Sequence, residues 1–157
     1  MRESGARIEM LRVGDAEVDR VVPLFDGYRR FYGQPSDPGG ARRFLQQRVA
    51  SGESVIFLAS AVSAGESEDL GFTQLYPFFT SVGLARTWVL NDLFVVPEAR
   101  GRGVGRALLE RARDHARSTG ARRVDLQTAR TNTSAQALYE SFGYERNDAF
   151  LQYSLRI

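Results

Sequence analysis

The chain has 157 residues, of which 43% are hydrophobic and 25% are charged, and its formal net charge is +2. This length and composition predict one soluble, globular domain over residues 1–157. The chain has no Cys, no Lys and a single His, which excludes disulfides, thiolate nucleophiles, lysine Schiff bases and multi-histidine zinc sites. No apolar run reaches the ~18–20 residues of a membrane helix, so we expect a cytoplasmic protein without a membrane partner or a metal.

The positive charge is concentrated in one segment. Residues 97–123 contain eight Arg and three acidic residues, a local balance of +5, so the rest of the chain carries −3. A basic segment indicates an anionic ligand, although a solvated helix face explains the charge alone equally well. No nucleic-acid-binding motif accompanies the segment, and we therefore expect no nucleic-acid partner.

The first part of the chain is predicted to form a strand over residues 7–13 and helices over 18–32 and 41–50. A Gly- and Pro-rich stretch over 33–38 separates the two helices. The first helix is indicated by apolar residues at helical spacing, namely Val18, Val21, Val22, Phe25 and Tyr28.

The rest of the chain is predicted to alternate strands and helices around a loop over 77–86. The predicted strands are 54–62, 70–76, 87–96, 123–128 and 144–157. The predicted helices are 103–119 and 134–142. The order β-α-α-β-β-β-α-β-α-β predicts a single-domain α/β fold, whose mixed sheet is antiparallel early and closes with a βαβ crossover.

The helix predicted over 103–119 is amphipathic. Its apolar stripe is formed by Val104, Leu108, Ala112 and Ala116. His115 falls in the middle of this amphipathic helix, and we expect it at the surface and outside the chemistry.

The loop before this helix has the features of a phosphate cradle. Gly101, Gly103 and Gly105 remove side chains where a backbone must approach a ligand, and a helix N-terminus favours negative charge. Nearby positive charge comes from Arg100, Arg102 and Arg106. A Walker loop is excluded because there is no Lys, and a dinucleotide fingerprint because its third Gly is replaced by Arg106. The alternative is that the glycines serve only a tight turn.

Arg100-x-x-Gly103-x-Gly105 resembles the pyrophosphate-binding signature of the Gcn5-related N-acetyltransferase (GNAT) superfamily. The segment 90–95 resembles the strand that precedes this signature, and Asn132-x6-Tyr139-x2-Phe142-Gly143-Tyr144 resembles a later helix of the family. The resemblance implies a GNAT-like domain with splayed central strands and acetyl-CoA as cosubstrate. The implied cofactor-binding residues are Leu93, Phe94, Val95, Arg100, Gly101, Arg102, Gly103, Val104, Gly105, Arg106 and Asn132.

The resemblance also implies two catalytic residues. Tyr139 matches the family tyrosine that protonates the departing CoA thiolate, and Asp92 is a candidate base or amine-orienting carboxylate. The alternatives are that Tyr139 is a core aromatic residue, that Asn132 only caps its helix, and that Asp92 satisfies backbone groups at a bulge. The polar pair Asn91-Asp92 interrupts an apolar strand, which indicates such a bulge.

The predicted reaction is direct transfer of an acetyl group to a primary amine of a small molecule. Residues 76–95 look closest to the diamine and polyamine acetyltransferase branch, which commonly has an acidic residue where this chain has Asn91. The predicted substrate-binding residues are Tyr28, Tyr32, Tyr76, Phe78 and Asn91. The alternatives are a protein or peptide N-acetyltransferase and a non-catalytic acyl-CoA-binding module, and family members are often homodimers.

Overall fold

Five strands form one sheet in which the order of the strands in space follows their order in the chain. The computed structural model describes residues 6–157. The strands are β1 Arg7–Arg12, β2 Val55–Ser63, β3 Glu66–Thr80, β4 Ala85–Val95 and β5 Val124–Leu126. The α-helices of these residues are α1 Val18–Phe31, α2 Pro38–Ala50, α3 Val104–Ser118 and α4 Thr133–Phe142.

The sheet is mixed, as the sequence predicted. Strands β1 to β4 pair antiparallel, and β5 pairs parallel with β4. Because parallel neighbours need a crossover, α3 connects β4 to β5. This confirms an α/β fold with antiparallel pairing early and a βαβ unit late.

Helices cover both faces of the sheet. Ile56 and Leu58 of β2 pack in one cluster with α1 and α2, whereas Phe57 lies against α3, with ring centroids of Phe57 and His115 5.5 Å apart. Successive side chains of a strand point to opposite faces, so α1 and α2 lie on one face and α3 on the other. The buried residues that α1 and α2 contribute to the cluster are Val18, Val21, Leu24, Phe25, Ala41 and Leu45.

The inner face of α3 is wider than predicted. Val104, Leu108, Ala112 and Ala116 are buried, which confirms the apolar stripe. The expectation of a surface His115 is wrong, because this side chain is 7% exposed and lies beside the Trp88 ring, with centroids 4.8 Å apart. Its spacing of seven residues from Leu108, two helical turns, places it on the buried face.

The predicted loop over 77–86 is wrong. Strand β3 continues to Thr80 and β4 begins at Ala85, so only a four-residue turn separates them. Pro77 pairs with Trp88, but the pairing of β2 with β3 ends at Leu75. Because no strand of the described residues pairs with Pro77 on its β2 side, its missing N–H removes no hydrogen bond there.

Helix α2 begins at Pro38, three residues before its predicted start. Asp37 is its N-cap, and the Asp37 carboxylate accepts a hydrogen bond from the Gly40 N–H at 2.8 Å. Proline is favoured at the first helical position, where its N–H is not needed. Pro38 therefore starts the helix rather than separating it from α1.

The strand predicted over 144–157 is also wrong. This segment has no regular secondary structure, although its apolar side chains alternate as in a strand. Phe150, Leu151, Tyr153 and Leu155 are all at least 80% exposed. The alternation is local, but a strand also requires a hydrogen-bonded neighbour, and none pairs with this segment within the described residues.

The described chain divides into two compact units, one up to Gln127 and one over Thr128–Ile157. The larger unit contains the whole sheet with α1, α2 and α3. The smaller unit contains α4, which ends at Gly143 in a left-handed conformation with φ 112°. One domain over 1–157 stays a prediction.

We expect Gly71→Ala to destabilise the sheet by about 1–3 kcal/mol. Gly71 of β3 lies opposite Val95, and a Cβ at Gly71 would come within 2.5 Å of the Phe94 carbonyl oxygen. The free energy of unfolding in urea measures the effect. Gly39→Ala is the control, because its Cβ would make an ordinary 3.5 Å contact in α2 and should be neutral or stabilising. Equal unfolding free energies for Gly71→Ala and the wild type would contradict the close approach.

Candidate functional site

The N-terminus of α3 has no side-chain cap. Its N-cap residue is Gly103, so no side chain accepts hydrogen bonds from the first N–H groups of the helix. Gly101 and Gly103 have φ of 71° and 82°, a left-handed conformation in which glycine is strongly favoured. A Cβ built at either glycine meets no atom within 4 Å, so the space beside the loop is open. This end of α3 combines free donors with the positive end of the helix dipole, and therefore suits an anion.

The three arginines of the loop differ in how they are held. The Arg100 Nε donates to the Val95 carbonyl at 2.9 Å, and the guanidinium carbon lies 5.7 Å from the centroid of the Phe94 ring. Arg106 lies 4.0 Å from Glu110 one turn further along α3. Arg102 is exposed and forms no ion pair within residues 6–157. Arg102 is thus the arginine of the loop that is most available to a ligand.

Strand β4 contains a bulge at Asn91. Gln74 pairs with Asp92 and Leu75 pairs with Leu90, so Asn91 is the additional residue. Beyond Leu90, β4 no longer pairs with β5, because their ladder spans only Trp88–Leu90. The bulge and the splaying of β4 from β5 agree with the sequence expectation.

The open edge of β4 exposes the backbone of alternate residues. The Val96 N–H donates to the Leu70 carbonyl of β3 at 2.9 Å. Because backbone groups alternate sides along a strand, Phe94 also faces β3, whereas Leu93 and Val95 face the open edge. The Val95 carbonyl is already bonded to Arg100, so the remaining groups on this edge are those of Leu93 and the Val95 N–H.

Asp92 is buried beside this bulge, with 3% of its surface exposed. Its carboxylate accepts hydrogen bonds from the Gln74 Nε2 at 2.5 Å and from the Asn91 Nδ2 at 2.8 Å. Burial raises the pKa of Asp92, and hydrogen bonds from Gln74, Asn91 and Tyr28 partly oppose that rise. The carboxylate therefore binds a proton more readily than an exposed aspartate does.

Gln74 is a residue of this cluster that the sequence reasoning missed. It is fully buried in β3, and its Oε1 has no hydrogen-bond partner within the described residues. The signal was a Gln in the middle of the strand Phe72-Thr73-Gln74-Leu75, where a buried polar side chain needs a specific partner. Which partner it has depends on the register between β3 and β4.

The predicted substrate-binding aromatic residues are only partly brought together. The Tyr28 hydroxyl donates to the Asn91 carbonyl at 3.3 Å, and the Tyr32 ring lies 5.0 Å from the Tyr28 ring. Burial, with a smaller contribution from the charge of Asp92, raises the pKa of Tyr76 to about 12. Phe78 lies two residues further along β3 and is 58% exposed. Tyr28 and Tyr76 therefore lie near the Asn91-Asp92 bulge, Tyr32 packs against Tyr28, and Phe78 lies towards the end of the hairpin.

The smaller unit carries the two remaining predicted residues. The Asn132 Oδ1 accepts a hydrogen bond from the Ala135 N–H at 3.2 Å, so Asn132 caps α4. Tyr139 lies two turns from Asn132, and its ring packs edge-on against Tyr144 with centroids 5.8 Å apart. Asn132 therefore caps α4, and its cofactor role stays a prediction.

Clustered metal ligands and membrane-spanning helices are both absent from the described part of the chain. It contains no group of three or more His, Cys, Asp or Glu side chains that could hold a metal ion. Nor does any helix there combine the length and apolar composition needed to cross a bilayer. The cytoplasmic location stays a prediction.

Comparisons with known proteins converge on one family. The model of the acetyltransferase (GNAT) family matches residues 21–144. The chain is 45% identical over 150 residues to the uncharacterized N-acetyltransferase YhfO of Bacillus subtilis strain 168, covering 96% of this chain and 97% of that protein. The crystal structure of a probable acetyltransferase superposes with a TM-score of 0.86 at 42% identity, covering 95% of this chain and 97% of the other. The aminoglycoside N-acetyltransferase AAC(6')-Iy, solved in complex with CoA, shares the fold with a TM-score of 0.80 at 19% identity, over 100% of both chains.

Proposed function

The chain belongs to the acetyltransferase (GNAT) family of acyl-CoA-dependent N-acetyltransferases, and from that premise we propose that it acetylates a primary amine of a small molecule. The proposed acceptors are polyamines, diamines and amino-acid-like amines. The amine attacks directly, because the chain has no Cys to carry an acetyl group.

The observation that carries the cofactor proposal is the uncapped N-terminus of α3, which follows the open end of β4 through the loop over 96–103. The N–H groups of residues 103–106 are proposed to hold the pyrophosphate, with Arg102 adding positive charge. The open edge at Leu93 and Val95 pairs with the pantetheine arm, and the Phe94 side chain supports Arg100. Acetyl-CoA supplies the acetyl group as an activated thioester. The full proposed set is Leu93, Phe94, Val95, Arg100, Gly101, Arg102, Gly103, Val104, Gly105, Arg106 and Asn132.

Arg102→Gln should weaken CoA binding about tenfold, because it removes one charge-assisted contact worth about 1.4 kcal/mol. Isothermal titration calorimetry with CoA measures the change. Arg117→Gln is the matched control, since Arg117 lies in the last turn of the same helix and should leave the affinity unchanged. No heat with the folded wild type at millimolar CoA would overturn the cofactor proposal.

Asp92 is proposed to accept the proton that the attacking amine loses. An ammonium group has no free electron pair, so it must be deprotonated before attack. Because burial raises the pKa of Asp92, its carboxylate is a stronger base than an exposed one. Gln74 and Asn91 fix the orientation of both carboxylate oxygens.

Tyr139 is proposed to donate its phenolic proton to the departing thiolate. This assignment is supported by the family pattern Asn132-x6-Tyr139-x2-Phe142-Gly143-Tyr144 and by the position of Tyr139 on α4. A hydroxyl donor lowers the barrier for expelling a thiolate, because charge develops on sulfur as the bond to carbon breaks. Asp92 takes the ammonium proton and passes it to solvent, and the Tyr139 phenolate takes the second proton from the acylated nitrogen. The products are then the amide, the CoA thiol and one released proton, with Tyr139 and Asp92 returned to their starting states.

The acceptor is proposed to lie against the aromatic residues around the bulge. Tyr28 and Tyr32 stack edge-on, and Tyr76 is half-buried near the charge of Asp92. Aromatic rings attract cationic amines through cation–π contacts. Asn91 and Phe78 complete the proposed acceptor residues.

A homodimer is also proposed, supported by the uncovered apolar face of the C-terminal segment. Leu151, Tyr153, Leu155 and Ile157 alternate with polar residues and are each at least 80% exposed. Light scattering should give twice the 17.5 kDa mass of the chain, and Leu151→Glu with Leu155→Glu should give the monomer mass. Val82→Glu, at an equally exposed apolar residue in the β3–β4 turn, should leave the dimer intact. A monomeric wild type at all concentrations would contradict this proposal.

A further inference from the structure

Three arginines surround the aromatic residues against which His115 packs. This arginine cluster consists of Arg12 at the end of β1, Arg86 near the start of β4 and Arg111 on α3. It lies towards the C-terminal end of α3, whereas the phosphate loop lies at its N-terminus. Eleven residues separate Val104 from His115, which corresponds to about 16 Å along the helix.

The fold brings the three side chains to the same face of the sheet. Arg12 pairs directly with Phe57 of β2, and residues opposite each other in an antiparallel pair project to the same side. Arg86 precedes Trp88 by two residues in β4, so these two side chains also project to the same face of the sheet. Arg111 and His115 are four residues apart on α3, one turn along the same helix face.

The contacts of the cluster are with aromatic rings. The Arg111 guanidinium carbon lies 4.3 Å from the centroid of the Phe57 ring, and that of Arg86 lies 5.7 Å from Trp88 and 5.0 Å from Phe79. None of the three arginines has an acidic partner among residues 6–157, although most other arginines in the larger unit do. Arg12 is exposed and the other two are half-buried, so solvent reaches all three.

The positive charge of the arginine cluster affects the pKa of His115. Burial lowers the pKa of His115, and the charges of Arg12, Arg111 and Arg86 lower it further. Its Nε2 is buried without a hydrogen-bond partner in the described part of the chain. The three arginines thus lie near the His115 imidazole without an ion-paired acidic side chain among residues 6–157.

We propose that the arginine cluster is a second anion-binding site, which takes a doubly charged oxyanion of the phosphate type. Guanidinium groups recognise such oxyanions through paired N–H donors. The charge of three guanidinium groups is balanced better by a dianion than by a single carboxylate. The stacked rings of Phe57 and Trp88 hold Arg111 and Arg86 in place before the ligand arrives, which lowers the entropy lost on binding. This site is separate from the acetyl-CoA loop.

His115 is the single His of the chain, so its imidazole resonance in a tag-free protein is an unambiguous reporter. The test is an NMR pH titration of His115 in sodium sulfate, a dianion throughout the titration, and in sodium chloride of equal ionic strength. A bound dianion neutralises the cluster, so the pKa of His115 should rise with sulfate to a plateau. At fixed pH, inorganic phosphate and glycerol 2-phosphate should move the same resonance. The one that binds with the lower Kd shows whether the site takes a free phosphate or a phosphomonoester.

Arg86→Gln and Arg111→Gln should each raise the sulfate concentration at the midpoint about tenfold. Arg102→Gln in the acetyl-CoA loop should leave this midpoint unchanged. Equal effects of sulfate and chloride on the wild type would overturn the proposal without any variant. An unchanged midpoint in the folded Arg86 and Arg111 variants would overturn it as well. Because Arg102→Gln separates the two sites, failure here leaves the acetyltransferase proposal untouched.

Discussion

Asp92→Asn is expected to lower kcat/KM for the amine by about 10²–10⁴, the usual effect of losing a general base. The substitution keeps the shape of the side chain and removes its ability to accept a proton. The buried Gln74 amide accommodates it, because its unpartnered Oε1 can turn to accept from the new Asn amide. Steady-state release of free thiol from acetyl-CoA measures the loss.

The pH dependence separates a catalytic from a structural role for Asp92. In the wild type, kcat/KM should rise with pH as Asp92 ionises, and its raised pKa places this limb above the range of ordinary aspartates. Asp92→Asn should lose this limb and keep only the one from the amine. Asp114→Asn, on the outer face of α3, should leave the profile unchanged.

As pH rises and Asp92 ionises, the free energy of unfolding should fall while kcat/KM rises. Because the folded-state pKa of Asp92 is raised, the folded state holds its proton to higher pH than the unfolded state. Ionisation therefore reduces stability as pH rises above the ordinary aspartate range. Asp92→Asn avoids this loss, and its free energy of unfolding at neutral pH should lie within about 1 kcal/mol of the wild-type value. Full activity in a folded Asp92→Asn variant would show that Asp92 only satisfies the bulge.

Tyr139→Phe is expected to lower kcat by about 10²–10⁴ while CoA binding is retained, because only the proton donor is removed. The Phe ring can keep the edge-on contact with Tyr144. Tyr153→Phe is the matched control, since it removes the same hydroxyl from an 87% exposed tyrosine of the same unit and keeps the ring that the proposed dimer face uses.

This variant also distinguishes an enzyme from a non-catalytic acyl-CoA-binding module. Single-turnover acetyl transfer and CoA calorimetry are measured on the same preparation. Unchanged turnover with intact CoA binding would remove Tyr139 from the mechanism.

Features fixed by neighbouring residues were predictable from the sequence. The glycines at 101 and 103 predicted a backbone that approaches a ligand closely or makes a tight turn, and both have a positive φ that favours glycine. The apolar stripe of α3 follows from helical spacing and is buried. The interruption at Asn91-Asp92 indicated a bulge, and Asn91 is the additional residue there.

Features that depend on pairing across the chain were not predictable. The role of Gln74 depends on its register with Asp92, 18 residues away in the chain. Pro77 reads as a loop residue until the end of its β2 neighbour is known. The strand predicted over 144–157 was wrong for the same reason, because alternating apolar residues do not show whether a partner strand is present. His115 is buried because α3 packs against two separate strands at Phe57 and Trp88.

The most direct test of the proposed function is an amine-panel assay with acetyl-CoA. Free thiol is measured with spermidine, diamines, amino acids and peptides as acceptors, and the acetylated product is identified by mass spectrometry. Turnover is expected with at least one small amine, and it should be lost in Asp92→Asn and Tyr139→Phe and kept in Tyr153→Phe. Turnover with peptides alone, or CoA binding without acetyl transfer to any amine, would contradict the proposed function.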